Sequence, residues 1–338
     1  MRRVGAGAAV AALLLAGAAC GPQRGGVAPS PPLSPTPQPT TPMSEPIRLA
    51  TAGGTLEGTL TYPTSPAPWP VVLLVSGSGP TDRDGNTAGL PGPNNSLRML
   101  AEGLAGRGIA SVRYDKRGIA ASRAAGLSEA DLRFDTFADD AAAWIRQLRG
   151  DARFTTITVV GHSEGSLLGM LAAQRAGADG FVSIAGAGRP AANVLHEQIA
   201  AHAPAEITAT SDRILEQLKA GKTVDSVPPN MGALFRPSVQ PYLISWFRYD
   251  PAAQVRALRV PVLIAQGTTD LQVSVEDARL LATAKPDATL VVVDGMNHVL
   301  KIVPADLTTQ VRSYSDPSLP VAPELIESIA RFVTTVRR

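Results

Sequence analysis

From Ile47 onward the chain changes its hydrophobic period repeatedly. Continuous apolar runs at 71–75, 110–114, 157–160, 181–184, 262–265 and 289–293 are each followed by a glycine or a polar turn. Apolarity that is continuous rather than alternating predicts strands covered on both faces, the habit of a mainly parallel sheet. Between these runs, apolar positions recur at helical spacing over 97–105, 136–148, 166–176, 275–284 and 324–336. Such alternation predicts the α/β class, with a mostly parallel central sheet and helices on both of its faces. The segment TLEGTLTY at 55–62 alternates instead, and predicts an antiparallel strand at the sheet edge.

One region breaks this rhythm. Between about 187 and 258 there is no strand pattern, only helical stretches at 192–203 and 211–220 and a proline-marked run, RPSVQPYLISWFRYDP. Some seventy residues between two strands is too long for a plain connection. The segment is expected to form a helical cap over the carboxyl ends of the strands, where open α/β sheets bind ligands; the alternative is that it covers an edge of the sheet. Leu234, Phe235, Tyr242, Leu243, Trp246 and Phe247 suit an acyl chain or an aromatic ester, or else serve to fasten the cap to the core.

The first twenty residues, MRRVGAGAAVAALLLAGAAC, carry two arginines and then an apolar run of signal-peptide length, short for a membrane span. Export is the expectation. Cys20 is the only cysteine, so no intramolecular disulfide can form. Gly17, Ala18 and Ala19 before it resemble the lipobox of bacterial lipoproteins, with Gly17 where that motif usually carries Leu, Val or Ile. The resemblance implies lipidation at Cys20 and anchoring on the outer face of the cell membrane; simple cleavage nearby would leave the protein secreted. Residues 21–46 are dense in Pro, Ser and Thr and almost free of large apolar residues, which predicts a disordered tether. The expected organisation is therefore a signal segment at 1–20, a tether at 21–46 and one folded domain at 47–338.

Composition changes this picture little. The 338 residues are 44% hydrophobic, enough for a sizeable core. Thirty-one basic and 29 acidic residues leave a net charge of +2 with no basic run after the first few positions, so nothing favours a nucleic-acid partner.

Candidate chemistry centres on VVGHSEGSLLG at 159–169, where Gly161-His162-Ser163-Glu164-Gly165 fits G-x-S-x-G. The motif is informative only in context, and the context is present: TITVV reads as a strand before it, SLLGMLAAQRA as a helix after it. A sharp strand-to-helix turn lifts a serine oxygen above the sheet, flanking glycines permit the close approach, and the helix dipole favours negative charge there. The plainer alternative is a helix N-cap serine. A serine hydroxyl needs a base. Of four histidines, His162 adjoins the serine and is expected to point the other way, while His196 and His202 fall in the inserted helices. His298, in the loop after the last strand run, fits the chain order of nucleophile, acid and histidine found in α/β hydrolases. Asp270, three residues beyond Gly267, is the favoured acid; Asp294 lies too close in sequence to His298, and Glu276 already starts a helix. The backbone amides of Glu164 and Ser78 are the expected donors to an oxyanion.

From about residue 47 to the end the chain resembles the α/β hydrolases, of the serine aminopeptidase and lysophospholipase-like branch. The elements that carry the resemblance are SGSGP at 76–80, RYDKRGIAAS at 113–122, GHSEG at 161–165, GTTD at 267–270 and GMNH at 295–298. SGSGPTDRDGN is especially similar to the loop of secreted bacterial esterase-like hydrolases, with Ser76 where a histidine is commoner. Asp115, Lys116, Arg117 and Gly118 resemble the D-x-R-G turn of these folds, usually structural. The resemblance implies an acyl-enzyme mechanism on Ser163, Asp270 and His298, with no metal and no organic cofactor, acting on a small-molecule acyl substrate. A serine rather than an aspartate at the elbow speaks against an epoxide hydrolase or dehalogenase. A carboxylic-ester hydrolase is the leading expectation. An aminopeptidase on the same triad would need an acid to anchor the substrate amine, for which Glu164 is a candidate; a non-catalytic binding lipoprotein is the third reading. Asp82, Arg83, Asp84 and Glu164 are charged residues that either select substrates or are simply solvated. No role for the Glu164 carboxylate follows from the sequence.

Overall fold

The computed structural model of the protein describes residues 42–338; the expected signal segment with its Cys20 and residues 21–41 of the expected tether lie outside the described residues. Eight strands form one sheet: β1 (Met43–Thr51), β2 (Gly54–Tyr62), β3 (Trp69–Val75), β4 (Ala110–Tyr114), β5 (Phe154–His162), β6 (Gly180–Ile184), β7 (Val262–Gly267) and β8 (Thr289–Val293), in the spatial order β1-β2-β4-β3-β5-β6-β7-β8. β1, β2 and β4 pair antiparallel, and from β4 to β8 every neighbouring pair is parallel. The helices are α1 (Ser96–Ala105), α2 (Phe134–Arg149), α3 (Glu164–Ala176), α4 (Ala191–His202), α5 (Ala205–Lys219), α6 (Gly232–Phe235), α7 (Gln240–Trp246), α8 (Pro251–Ala257), α9 (Val275–Ala284), α10 (Leu307–Ser313) and α11 (Pro323–Thr335).

Side-chain alternation along β3 shows how the core is built. Val71, Leu73 and Val75 join a cluster with Phe134 and Trp144 of α2 and Leu168 of α3, while Val72 and Leu74 join the opposite cluster with Leu100 of α1 and Ile329 of α11. Strands β4, β6 and β7 are buried along their whole length, as continuous apolar runs require. β8 is equally apolar, yet it closes the sheet, and Val292 is left 39% exposed.

Two expectations need correction at the start of the domain. The 55–62 strand is antiparallel, but it is not the edge: β1 pairs outside it from Met43↔Tyr62 to Thr51↔Gly54 around the two-residue loop Ala52-Gly53. The folded domain therefore begins at Met43, so 43–46 belong to a strand and not to the tether. Pro46 disguises this strand, and is tolerated because an edge strand has only one ladder to keep.

Between β6 and β7 the chain folds as α4 to α8 with three-ten turns. α7 lies on α2, and α8 lies on α3 and α9. Phe134 of α2 stacks on Trp246 at 5.5 Å, and Tyr242 touches both Phe134 and Phe137. The inserted aromatics thus mainly fasten the segment to the sheet's helical layer.

Every motif residue singled out in the sequence leaves the carboxyl end of a parallel strand: Ser78 after β3, the Asp115–Gly118 turn after β4, Ser163 after β5, Asp270 after β7 and His298 after β8.

Candidate active site

β5 ends at His162 and α3 starts at Glu164, which leaves Ser163 alone at the corner with φ 56° and ψ −123°. A serine held at positive φ costs about 1–3 kcal/mol of strain, and such strain clusters at functional sites. The surroundings enforce it. Ser163 N donates to Ile184 O of β6 at 2.9 Å, and Ser166 N donates to Ser163 O at 2.9 Å. The flanking glycines are required sterically: a Cβ on Gly161 would lie 2.1 Å from Gly165 O, and one on Gly165 would lie 2.2 Å from Val75 O.

His298 and Asp270 meet directly. His298 Nδ1 lies 2.8 Å from Asp270 Oδ2, with the carboxylate fully buried and the imidazole 7% exposed. An ionised carboxylate can only accept, so Nδ1 carries the hydrogen of this bond. Asp270 is held from three further sides, by Gln266 Nε2 at 3.0 Å, Gln272 N at 2.8 Å and Val273 N at 3.0 Å. Burial alone would raise its pKa, but the His298 ring and these amides outweigh burial and hold the carboxyl below the usual carboxylate range. The rivals are occupied elsewhere: Asp294 accepts from Thr268 Oγ1, and Glu276 pairs with Arg279 on the surface.

His162 does not turn away from the site. Its ring lies 4.9 Å from that of His298, and its Nε2 is 2.8 Å from the His298 carbonyl oxygen. Burial, together with the charge of His298, brings its pKa down to about 3, so it is neutral and donates through Nε2 to that carbonyl. Strand alternation predicted otherwise because it ignores the loop after β8, which folds back over the end of β5. His196 pairs with Asp212 at 2.5 Å and His202 is exposed, both on the inserted helices.

The loop after β3 lies against the elbow. A Cβ on Gly77 would come within 3.1 Å of Ser163 Cβ and 3.3 Å of His162 Nδ1, so any side chain there would press on the elbow by a few tenths of an ångström. Ser78, Ser163 and Glu164 line one narrow cavity of about 50 Å³, with Leu167, Leu195 and Trp246 among its apolar walls. Of the six apolar residues singled out between 234 and 247, only Trp246 reaches it. Arg189 also borders the cavity but is committed to Asp277 through two bonds of 2.9 Å.

The charged residues prove to be internally paired rather than solvated. Arg83 bonds Asp115 at 2.7 Å, Asp84 bonds Arg113 at 2.7 Å, and Asp82 accepts the amides of Asp84 and Asn86. Arg117 of the D-x-R-G turn forms a two-pronged pair with Asp140 at 2.6 and 3.0 Å. The buried Glu164 carboxylate takes Lys116 Nζ at 3.2 Å on one oxygen and Tyr242 Oη at 2.8 Å on the other. The sequence singled out Lys116 only within a structural turn and Tyr242 only among the aromatics of the inserted helices; their meeting at the Glu164 carboxylate is what sequence reasoning missed.

The loop bearing His298 is itself anchored. Asn297 Nδ2 donates to Ser313 Oγ of α10 at 2.7 Å, and Asn297 Oδ1 accepts from Lys301 N at 3.0 Å. The Lys301 side chain is fully buried, its Nζ bonded to Leu319 O and 3.1 Å from Met99 Sδ. Burial, only partly offset by Asp316, lowers its pKa from 10.5 to about 8. Between those values the unfolded chain holds a proton that the folded chain has released, so this group makes stability rise with pH through that window. Relative to Lys301→Met, the native chain should gain about 1 kcal/mol in urea-unfolding stability from pH 7.5 to 9.5; equal pH slopes for the two proteins would contradict this.

The chain is similar to several known proteins. The family described as serine aminopeptidase, S33, matches residues 94–237. Esterase EstD of Thermotoga maritima is 29% identical over 249 residues, covering 72% of this chain and 58% of the relative, so the chain spans little more than half of that protein's length. Among solved structures, Est1E from Butyrivibrio proteoclasticus aligns with a TM-score of 0.54 at 17% identity, over 86% of this chain and 98% of its own. A thermophilic esterase from Thermogutta terrifontis aligns with a TM-score of 0.52 at 17% identity, over 87% of this chain and 100% of its own. The mostly parallel eight-stranded sheet, the elbow glycines that it demands and these likenesses lead to one classification: the chain has the α/β-hydrolase fold.

Proposed function

We propose that the protein is a serine-dependent hydrolase of small carboxylic esters, working through an acyl-enzyme. The observation that carries this reading is the bond between buried Asp270 and His298 Nδ1, 2.8 Å long, on loops at the same sheet end as a serine fixed at positive φ. In the proposed reaction Ser163 Oγ attacks the ester carbonyl carbon while His298 Nε2 takes its proton, and Asp270 stabilises the imidazolium. The carbonyl electrons move onto oxygen, where the amides of Ser78 and Glu164 donate to it. Collapse of this intermediate expels the alcohol, which receives the proton from His298. Water then repeats the sequence on the acyl-serine, releasing the acid and restoring Ser163.

Two features favour esters over the aminopeptidase alternative. An aminopeptidase needs a free carboxylate for the substrate amine, and Glu164 is already engaged by Lys116 and Tyr242. The relative EstD and the similar structure from Thermogutta terrifontis are themselves described as esterases. The narrow, largely apolar cavity suits a short acyl group. The test is a panel of p-nitrophenyl esters and aminoacyl anilides, with a fluorophosphonate as active-site label. Acetate and butyrate esters should be cleaved fastest and the label should enter at Ser163; faster cleavage of the anilides would instead favour the aminopeptidase, and neither turnover nor labelling would favour a binding protein.

A further inference from the structure

The Glu164 carboxylate points to a role for the residue that neutralises it. Lys116 Nζ, on a side chain 3% exposed, donates to two acceptors: Glu164 Oε1 at 3.2 Å and the backbone oxygen of Gly77 at 2.5 Å. It also lies 5.5 Å from the centre of the Phe137 ring, so its charge is held from a third side. The Gly77 oxygen belongs to a particular peptide. Gly77 C=O and Ser78 N–H are the two ends of one planar unit, and in a trans peptide they point in opposite directions. An ammonium group that grips the oxygen therefore fixes the direction of the Ser78 N–H. Ser78 lines the cavity beside Ser163 and Glu164.

We propose that Lys116 is a positioning residue for the oxyanion site: by holding the Gly77 carbonyl it aims, and polarises, the Ser78 amide toward the acyl oxygen bound at Ser163. The assignment rests on the proposed hydrolase reading, in which Ser78 and Glu164 supply the two donors. Such a clamp matters here because the residues on both sides of Ser78 are glycines, Gly77 and Gly79, the latter at φ 80°, which bring no side chain of their own to hold its peptide. The cation does more than a neutral donor would, since a charge on the carbonyl end strengthens the N–H at the other end as a donor.

The carboxylate now has a reason to sit beside the nucleophile. Glu164 offers its amide as one donor and, through its side chain, seats the lysine that orients the other. Its second oxygen accepts from Tyr242 of α7, so the inserted helices help to keep the carboxylate in place. Lys116 itself does not touch the reacting atoms, so its effect should fall on the transition state and leave ground-state binding alone.

The experiment compares the full chain with Lys116→Met and with Lys116→Met/Glu164→Gln. The single change strands a buried carboxylate and can cost folding; the double change removes both charges and leaves a side-chain amide oxygen able to accept from Tyr242. Three quantities are measured for each folded protein: kcat and KM on p-nitrophenyl acetate, affinity for a trifluoromethyl ketone that forms a tetrahedral adduct on serine, and affinity for the product acid. The double variant should lose about 10²- to 10³-fold in kcat, as expected for loss of one oxyanion donor. Its KM and product affinity should stay within about 2-fold, while adduct affinity falls in parallel with kcat. A folded double variant with kcat and adduct affinity within about 3-fold of the native chain, or with the loss confined to KM, overturns the assignment of Lys116. Absence of Ser163-dependent turnover in the native chain overturns the hydrolase reading itself, which separates the two failures.

Discussion

Ser163→Ala should reduce kcat on p-nitrophenyl acetate by about 10⁴- to 10⁶-fold while leaving the fold and the cavity intact. In the proposed mechanism no acyl-enzyme can form without Oγ, and the residual turnover comes from water attacking, without a general base, an ester held by the oxyanion donors and the pocket walls. Alanine at φ 56° bears the same backbone strain as serine, so the melting temperature should hardly move. Adding His298→Ala to this variant should cost almost nothing more, because the base has no nucleophile left to serve and residues that act as a unit are not additive. Initial rates of p-nitrophenolate release, with fluorophosphonate labelling as a check on active sites, decide the matter. A drop of less than ten-fold would remove Ser163 from the mechanism.

The elements of this expectation were legible in the sequence because they are local. GHSEG announces itself within five residues, the strand before it and the helix after it are long and strongly patterned, and Asp270 and His298 follow in loops that open with Gly267 and Gly295. What was not legible depends on partners far along the chain. Lys116 meets Gly77 across 39 residues and Glu164 across 48, and Glu164 meets Tyr242 across 78; no periodicity encodes such meetings. β1 escaped notice for a different reason. Its alternation is masked by Pro46 and by the adjoining Pro/Thr-rich stretch, and an edge strand pairs through its backbone, with little apolar signal of its own. α8 and α10 have seven residues each, about two turns, too few to establish a helical period. The inserted aromatics carried a clear apolar signal but not its purpose, since packing on α2 and lining a pocket call for the same residues.

A large loss of stability from a single added methyl group is expected at Gly165. A Cβ there would meet Val75 O at 2.2 Å, Val75 C at 2.8 Å and Ser76 O at 2.7 Å. All three are backbone atoms of β3 and the loop that follows it, and β3 is an interior strand paired with β4 and β5, so the obstacle cannot rotate aside. Relief requires α3 to lift away from the sheet, which would uncover Leu168, buried completely beneath it. Alanine would gain about 1 kcal/mol in helix propensity over glycine. Overpacking against backbone outweighs that gain, and Gly165→Ala should cost about 3 kcal/mol or more. Gly177→Ala provides the contrast: its φ of 72° penalises any side chain, but no atom lies within 4 Å of its Cβ position, so the cost should be about 1 kcal/mol. Urea unfolding of both variants measures the difference, and equal losses would mean that the elbow is not closely packed against β3. Folded Gly165→Ala should also be slow on esters, because lifting the start of α3 displaces the Glu164 amide and with it the carboxylate that seats Lys116.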